Sequence, residues 1–229
     1  MTIQNDIQSQ TKKILAEKWS VRDGRIVPSP NDLGLGNDAV KLEDAVVLYA
    51  DINGSTKMVD EKIWQFSAKV YKVYLDAAAR LIKSYSGVIT AYDGDRIMGI
   101  FIGENRNTRA VRTALNLNWA VNKVINPAIK DVYNTDFGLR HIIGIDRSDL
   151  YAARTGVRGD NDIVWVGRAA NHAAKLTSFA GKSIWISEAV FNNCAETYKS
   201  YNSQNVWTRE NWTPMGNRLI YGSNWTWVP

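Results

Sequence analysis

Apolar and polar positions along the 229-residue chain repeat with two periods, one typical of strands and one typical of helices. Residues 45–51 are apolar almost without interruption and predict a buried strand. Residues 57–85 carry apolar side chains three and four positions apart, which predicts an amphipathic helix. Residues 87–103 then contain two apolar runs on either side of Asp93-Gly94, a pattern typical of a β-hairpin.

The same two periods continue to the end of the chain. Residues 167–181 predict a helix that ends at Gly181, because glycine commonly follows the last turn of a helix. Ser187 is the predicted N-cap of a helix that follows a short strand. A helix is predicted over residues 106–130. Residues 137–156 are predicted to form two strands joined by a turn at Arg147-Ser148. A further strand is predicted over 163–166, and β structure over 217–222 and 224–229.

The first 44 residues are less regular than the rest. Residues 11–19 predict a short helix, and residues 20–44 contain the Gly and Pro residues of a connecting arm. Further along, strands alternate with helices, but hairpins interrupt the alternation. This predicts an α+β fold, in which helices flank a mostly antiparallel sheet. We therefore expect an N-terminal helix and arm at 1–40 and a single domain at 41–229.

Composition excludes several classes of protein. The single cysteine, Cys194, excludes a disulfide framework and a cysteine-rich zinc site. No apolar run reaches the roughly 18–20 residues that cross a bilayer, and the first residues do not match a signal peptide. The formal charge of +5 comes from scattered Lys and Arg residues and not from a basic block. We therefore expect a cytoplasmic protein whose partners include no membrane and no nucleic acid.

The apolar run at 45–51 ends in a carboxylate. Asp51 closes the predicted strand, and residues 52–56, Ile-Asn-Gly-Ser-Thr, lead into the next helix. Backbone amides that precede a helix bind phosphate well. A carboxylate beside such a loop indicates a divalent cation, because Mg²⁺ and Mn²⁺ prefer oxygen ligands and accept phosphates as co-ligands.

Asp95 is the second carboxylate expected at this site. It follows the Asp93-Gly94 turn, at the tip of a hairpin that can lie beside the strand ending in Asp51. Two carboxylates at neighbouring strand ends can hold two metal ions about 3.5–4 Å apart, which activates an attacking oxygen and stabilises a leaving pyrophosphate. Each segment alone also fits a simpler interpretation, a helix cap or a plain hairpin turn. Their pairing favours a phosphoryl-transfer site.

Four segments resemble, in the same order, the motifs of the class III nucleotide cyclases, the family of most adenylate and guanylate cyclases. "VVLYADINGST" resembles that family's first metal-binding strand and phosphate loop, and "SGVITAYDGDRIMGIF" resembles the hairpin with its second metal aspartate. "GLRHIIGIDRSDLYAARTG" resembles its paired strands, and "VWVGRAANHAAKL" its Gly-x-x-x-Asn-x-Ala-Ala-Arg helix. The resemblance covers residues 45–190. It implies a ferredoxin-like, palm-type core and a homodimer whose active sites form between the subunits.

The resemblance also implies roles for individual residues. Asp51 and Asp95, with the backbone of Ile52, would bind two divalent cations, Mn²⁺ or Mg²⁺. Asn171 would orient the ribose so that its 3′-hydroxyl attacks the α-phosphate. Lys175 stands where the family usually has an arginine that stabilises the transition state, and a lysine keeps that charge but loses the bidentate geometry. The residues expected to bind the β- and γ-phosphates are Asn53, Gly54, Ser55, Thr56 and, as the candidate for a late triphosphate-binding residue, Arg218.

The base pocket departs from the family's purine-reading pattern. Ala91 and Val164 stand where adenylate cyclases have a lysine and an aspartate, and neither can hydrogen-bond to a purine edge. Tyr49, two residues before Asp51, is placed to face the base and fill space that a purine needs. The chain therefore resembles the pyrimidine cyclases of bacterial anti-phage systems, the Pycsar group. That resemblance implies cyclic UMP made from UTP or cyclic CMP made from CTP, and overall resemblance alone favours UTP.

Other interpretations stay open at this point. One is an adenylate or guanylate cyclase with an unusual pocket. Another is a cyclase-like domain that binds nucleotide without chemistry, which Lys175 favours and Asn171 disfavours. A nucleic-acid-binding module fits the positive charge and the nine Trp residues, but the chain has no basic–aromatic repeat. His141 and His172 are far apart in sequence, support neither a catalytic triad nor a histidine metal site, and are expected to be structural.

Overall fold

The structure, a computed structural model, describes residues 2–229. The helices are α1 (Ile3–Ala16), α2 (Ser55–Glu61), α3 (Trp64–Ser84), α4 (Arg106–Ala120), α5 (Asn126–Tyr133), α6 (Arg168–Leu176) and α7 (Glu188–Asn193), and a π-helical turn, Val121–Ile125, joins α4 to α5. The strands are β1 (Ser20–Asp23), β2 (Asp38–Ile52), β3 (Val88–Asp93), β4 (Arg96–Phe101), β5 (His141–Val157), β6 (Asp160–Val166), β7 (Ile184–Ser187), β8 (Ser200–Tyr201), β9 (Gln204–Asn205), β10 (Thr208–Trp212) and β11 (Arg218–Ser223).

One large sheet organises the molecule. Within residues 2–229, nine strands form it in the order β10-β11-β7-β5-β2-β4-β3, with β1 paired to β2 and β6 paired to β5. The β1–β2 and β5–β7 pairs are parallel and the others are antiparallel. β8 and β9 form a separate hairpin. The predicted α+β fold with a mostly antiparallel sheet is confirmed. None of the helices in this part of the chain has the length and apolar character that a bilayer crossing requires.

The alternation of side chains along β2 divides the core into two layers. Val46, Leu48 and Ala50 face the layer formed by α3, α4 and α5, whereas Val47 and Tyr49 face the other side of the sheet. On that second side, α6 packs through the small side chains of its alanines. Fully burying one aliphatic side chain contributes about 1.5–3 kcal/mol, so the long apolar run of β2 anchors both layers.

The close approach of α6 to β5 requires a glycine. A Cβ at Gly144 would lie 2.1 Å from the Ala173 carbonyl oxygen and 2.8 Å from the Leu176 Cβ. Because Gly144 pairs with Tyr49 of β2, α6 crosses the sheet over its two central strands. Gly144 thereby fixes the height of α6, the helix that carries Asn171, above the sheet.

Two buried asparagines hold the C-terminal segment against α4. The Asn116 side-chain amide donates to the Trp227 carbonyl at 2.6 Å, and the Asn118 amide donates to the carbonyls of Asn224 and Trp225 at 2.9 and 2.8 Å. Residues 224–229 form no strand in the described chain, so the β structure predicted for them is wrong. The side-chain amides of the two asparagines supply hydrogen bonds that a neighbouring strand would otherwise provide.

The single thiol of the chain lies in the same helical layer. Cys194 is 5% exposed, and its Sγ donates to the Phe191 carbonyl at 3.3 Å. Burial raises the pKa of this thiol to about 11.

The polar pair Arg147-Ser148 lies inside a strand and not in a turn. The predicted turn is wrong, because β5 runs through these residues and pairs them with Val46 and Ala45 of β2. Arg147 tolerates this position because its guanidinium contacts the Asp44 carboxylate at 2.7 Å. Arg106 contacts the same carboxylate at 3.3 Å.

Several predicted element bounds are also wrong. The first helix occupies Ile3–Ala16 and not 11–19, and every residue of it is exposed. β2 begins at Asp38, inside the predicted arm, since a β-bulge between Leu42 and Ala45 lets its pairing continue. The helix predicted over 57–85 is split into α2 and α3 by two extended residues, Lys62 and Ile63. α6 ends at Leu176, before Gly181, whereas the Ser187 cap is confirmed by its bond from the Val190 amide.

Gly144→Ala should lower the free energy of unfolding by about 1–3 kcal/mol, because the added methyl group forces α6 away from β5. Urea denaturation measures this change. Gly138→Ala is the matched control, since no atom lies within 4 Å of the Cβ it would add. A Gly144→Ala protein as stable as the wild type would contradict the close packing of α6.

Candidate functional site

Asp51 and Asp95 come together at one end of the sheet. Asp51 pairs with Arg96, the first residue of β4, so the β3–β4 turn places Asp95 beside it. Burial and then the charge of Asp95 raise the pKa of the Asp51 carboxyl, while Arg96, a hydrogen bond from Thr177 and the Ile52 amide lower it to a smaller extent. The net shift is upward, as expected for two carboxyl groups that share a partly buried site.

The carboxylate pair fits a divalent cation. The buried Oδ2 of Asp95 receives no hydrogen bond from any of residues 2–229, and Thr177 Oγ1 lies 3.5 Å from Asp51 Oδ2. An unsatisfied oxygen next to a second carboxylate matches the hard oxygen ligands that Mg²⁺ and Mn²⁺ prefer. The described chain contains no group of three or more His, Cys, Asp or Glu side chains able to hold a metal alone. Further ligands would therefore come from main-chain oxygens or from phosphates.

The predicted phosphate loop, residues 52–56, leads from β2 into α2. Gly54 has φ +83° and caps α2 without a side-chain hydrogen bond, so the Ser55 and Thr56 amides at the helix start lack intrahelical partners. The Asn53 amide donates to the Arg140 carbonyl at 2.9 Å. It is not free to bind phosphate, so only the exposed side chain of Asn53 could take the predicted role. Ile52 ends β2 and is buried.

Arg140 is a residue that sequence reasoning missed. Its Nη2 lies 3.8 Å from the position that a Cβ on Gly54 would occupy. Arg140, Lys57 and Lys62 line one cavity of about 300 Å³ together with Gly54, and Glu61, which contacts Lys57 at 3.7 Å, lines it too. Cations beside unpartnered amides favour a polyphosphate. Arg140 directly precedes β5, and the pairing of β5 with the end of β2 brings it beside the predicted phosphate loop.

Asn171, Lys175 and Arg218 form a second group. Asn171 and Lys175 lie on the exposed face of α6. Burial lowers the pKa of His172, Asp146 raises it, and the charges of Arg168, Arg218 and Lys175 lower it further. The Lys175 Nζ is 3.7 Å from the Sδ of Met215, just before β11. The structure therefore brings the predicted Lys175 and Arg218 together.

The carboxylate pair and this second group lie on different sides of α6. Thr177, which follows α6, faces Asp51. At 3.6 residues per turn, Asn171 and Lys175 lie about 120–160° around the helix axis from Thr177. Asn171 and Lys175 therefore project from α6 in a different direction from Thr177.

Tyr49 and Ala91 lie beside the carboxylates. Both pair with Met98, from opposite sides, so the three side chains form a row on one face of the sheet. Asp51 lies two residues beyond Tyr49 on the same face. The Arg96 guanidinium is 5.7 Å from the centre of the Tyr49 ring. This row provides apolar surface and one phenol, with no carboxylate or lysine to read a purine edge.

Val164 lies apart from that row. Its side chain is 43% exposed and projects from the face of β6 opposite to Ile163 and Trp165. Ile163 and Trp165 belong to the apolar cluster that includes Tyr49. The structure therefore brings together two of the three residues predicted for the base pocket.

The two histidines have different surroundings. His172 Nδ1 lies 3.2 Å from the buried carboxylate of Asp146, which Arg168 also contacts at 3.3 Å, and these contacts tie α6 to β5. His141 is buried next to the end of β2, and burial lowers its pKa to about 4. It is therefore neutral at physiological pH.

Comparison with known proteins places the chain among cyclases. It is 48% identical to the uridylate cyclase of Burkholderia cepacia over 229 residues, which is 100% of both chains. It is 44% identical to the uridylate cyclase of Xanthomonas perforans over 99% of both chains. Identity to the uridylate cyclase of Rhodovulum sp. (strain MB263) is 34% over 93% of this chain and 91% of the relative. No protein-family model matches the chain.

Solved structures share the fold. The adenylyl cyclase CyaB from P. aeruginosa has a TM-score of 0.66 at 18% identity, over 81% of this chain and 95% of its own. The guanylyl cyclase Cya2 has a TM-score of 0.68 at 19% identity, over 84% of this chain and 95% of its own. The class III cyclase fold predicted from the four motifs is confirmed.

Asp51→Asn should raise the melting temperature of the metal-free protein at neutral pH, because an amide removes the repulsion from Asp95 and the cost of a buried charge. The raised pKa sets the sign: the folded state binds this proton more tightly than the unfolded chain, so stability is lost as pH rises through the folded-state pKa. Circular dichroism melts in EDTA, from acidic to neutral pH, measure the effect.

Asp93→Asn is the matched control, since this carboxylate belongs to the same hairpin but its side chain is 80% exposed. Its melting temperature should follow that of the wild type at each pH. If Asp51→Asn melted below the wild type at neutral pH without metal, the repulsive character of the carboxylate pair would be refuted.

Proposed function

The chain belongs to the uridylate cyclases, and we propose that it converts UTP to 3′,5′-cyclic UMP and pyrophosphate. The observation that carries this proposal is the 48% identity, over the whole of both chains, to a protein named uridylate cyclase. The proximity of the Asp51 and Asp95 carboxylates, beside the predicted phosphate loop, supports the proposal independently, since such a site suits phosphoryl transfer.

Asp51, Asp95 and the main chain of Ile52 are the proposed ligands of two divalent cations, Mn²⁺ or Mg²⁺. When bound, such cations neutralise charge on the phosphates and on the leaving pyrophosphate. The protein keeps the two carboxylates close together, one near the end of β2 and the other in the β3–β4 turn. It also leaves Asp95 Oδ2 without a competing partner among the described residues.

The other groups position the substrate. The amides of Ser55 and Thr56 and the guanidinium of Arg140 are placed to bind the β- and γ-phosphates. Asn171 orients the ribose so that its 3′-oxygen attacks the α-phosphorus in line with the departing pyrophosphate. Lys175 stabilises the negative charge that develops there, and Arg218 assists on the triphosphate.

Two copies of the chain are needed for this arrangement. Asn171 and Lys175 point away from the carboxylate pair of their own chain, because Thr177 occupies the side of α6 that faces Asp51. We therefore propose a homodimer in which the α6 face of one subunit completes the carboxylate site of the other. A two-fold axis then creates two equivalent active sites.

Tyr49 and Ala91 are the proposed base-contacting residues. The row that they form with Met98 lies on the face that carries Asp51 and has no carboxylate or lysine for a purine edge. A pyrimidine is smaller than a purine and fits the space that the Tyr49 ring leaves beside the carboxylates. The names of the relatives favour UTP over CTP. Val164 would reach this base only from the second subunit.

The biological role is part of the proposal. We place the reaction in the cytoplasm, where its nucleotide substrate is made, and we propose that the cyclic nucleotide is a second messenger in anti-phage defence. The resemblance of the four motifs to the Pycsar cyclases supports this role.

Purified protein given ATP, GTP, CTP and UTP together with Mn²⁺ should release cyclic UMP as its main product, identified by mass spectrometry. Asp51→Ala and Asp95→Ala should each abolish the product, since either change removes a metal ligand, while circular dichroism shows an intact fold. Cyclic AMP or cyclic GMP as the main product would refute the pyrimidine pocket. An active Asp95→Ala protein would refute the metal site.

Mixing two inactive variants tests the shared active site. Asp51→Ala and Lys175→Ala chains, denatured and refolded together, should recover about a quarter of the wild-type rate, because half of the dimers are mixed and each has one intact site. Each variant refolded alone serves as the control. A mixture that stays inactive would show that Asp51 and Lys175 act within one chain.

A further inference from the structure

One buried hydroxyl of α3 has no role in the chemistry proposed above. Tyr74, in the middle of α3, is 0% exposed, and its Oη has no hydrogen-bond partner within residues 2–229. An unpartnered buried polar group costs about 1–3 kcal/mol. A phenylalanine would fill nearly the same space without that cost, so the hydroxyl calls for a functional explanation.

The surroundings of Tyr74 connect it to the metal ligands. Its ring centre lies 5.8 Å from that of His141. His141 pairs across the sheet with Ile52, the residue that follows Asp51. Burial raises the pKa of Tyr74 well above its usual value, and the charges of Asp51 and Asp95 raise it further. The hydroxyl therefore lies within electrostatic reach of both carboxylates and keeps its proton, which makes it a donor.

Several unsatisfied atoms belong to residues near this end of the sheet. Among the described residues, Tyr74 Oη, His141 Nε2, Asp95 Oδ2 and the neighbouring Arg96 Nε are all buried without a hydrogen-bond partner. Asp95 supplies acceptor oxygens and Tyr74 supplies a donor. His141 is neutral, since burial lowers its pKa to about 4, so it adds no positive charge that would repel a cation.

We propose that Tyr74 is a positioning residue for the metal site: its hydroxyl is the buried donor that orients the Asp95 carboxylate, directly or through one water, when a divalent cation binds. The proposal rests on the proposed function, in that it assumes the cation. Hydrogen-bond partners behind metal ligands fix the orientation of those ligands, and their loss typically weakens metal binding 10–100-fold.

Tyr74→Phe isolates the hydroxyl, because it keeps the ring that packs in the core. Electron paramagnetic resonance of free Mn²⁺ measures metal affinity in the dimer, with 3′-deoxy-UTP present because it lacks the attacking hydroxyl. We expect Tyr74→Phe to bind Mn²⁺ about 10-fold more weakly than the wild type. Its metal-free melting temperature should be equal or higher, since an unpartnered hydroxyl is removed. Tyr221→Phe, on a ring stacked 3.8 Å from Phe191, should leave Mn²⁺ affinity unchanged.

Equal Mn²⁺ affinity in Tyr74→Phe and the wild type would overturn the proposal. Weaker Mn²⁺ binding accompanied by a lower metal-free melting temperature would also overturn it, because the hydroxyl would then serve folding. The proposed function fails separately, if the wild-type protein binds Mn²⁺ but makes no cyclic nucleotide. In that case, a Mn²⁺ affinity weakened only in Tyr74→Phe would still support the role of Tyr74.

Discussion

Two like charges held side by side are the central constraint of this molecule. Asp51 and Asp95 repel each other, and burial raises the cost of ionising Asp51. Strand pairing overcomes this, because the register of β2 with β4 places Asp51 opposite Arg96, and the β3–β4 turn then holds Asp95 next to it. The pair is tolerable because the long apolar run of β2 anchors it, and a cation bound as proposed would neutralise the repulsion.

The position of α6 is set by contacts that involve the same end of the sheet. Gly144 lets the helix lie close to β5, and Thr177 at the helix end then reaches the carboxylate of Asp51. The contact uses the inner side of α6, so Asn171 and Lys175 are left on the outer side. The side of α6 that meets the sheet thus determines that Asn171 and Lys175 are presented to the outside, which is the basis of the homodimer proposed above.

Local patterns predicted the carboxylate pair, whereas long-range contacts produced most of the errors. The Asp93-Gly94 hairpin and the apolar strand before Asp51 are signals contained in short segments. The strand through Arg147 depends on Asp44, which is roughly a hundred residues away in the sequence. Without that partner in view, the polar side chain of Arg147 predicts a turn. Arg140, Thr177 and the orientation of Val164 depend likewise on register and helix position. Tyr74 fits the helical period as a core residue, so the sequence pattern gives no sign that its hydroxyl lacks a partner.

The buried thiol of Cys194 has a consequence for the conditions under which this enzyme can work. Oxidants and alkylating agents attack the thiolate, and a pKa of about 11 together with burial keeps this sulfur protonated and inaccessible. Because the chain has no other cysteine, it offers no accessible thiol for mixed disulfides. Reagents that attack thiols therefore find no accessible cysteine on this chain.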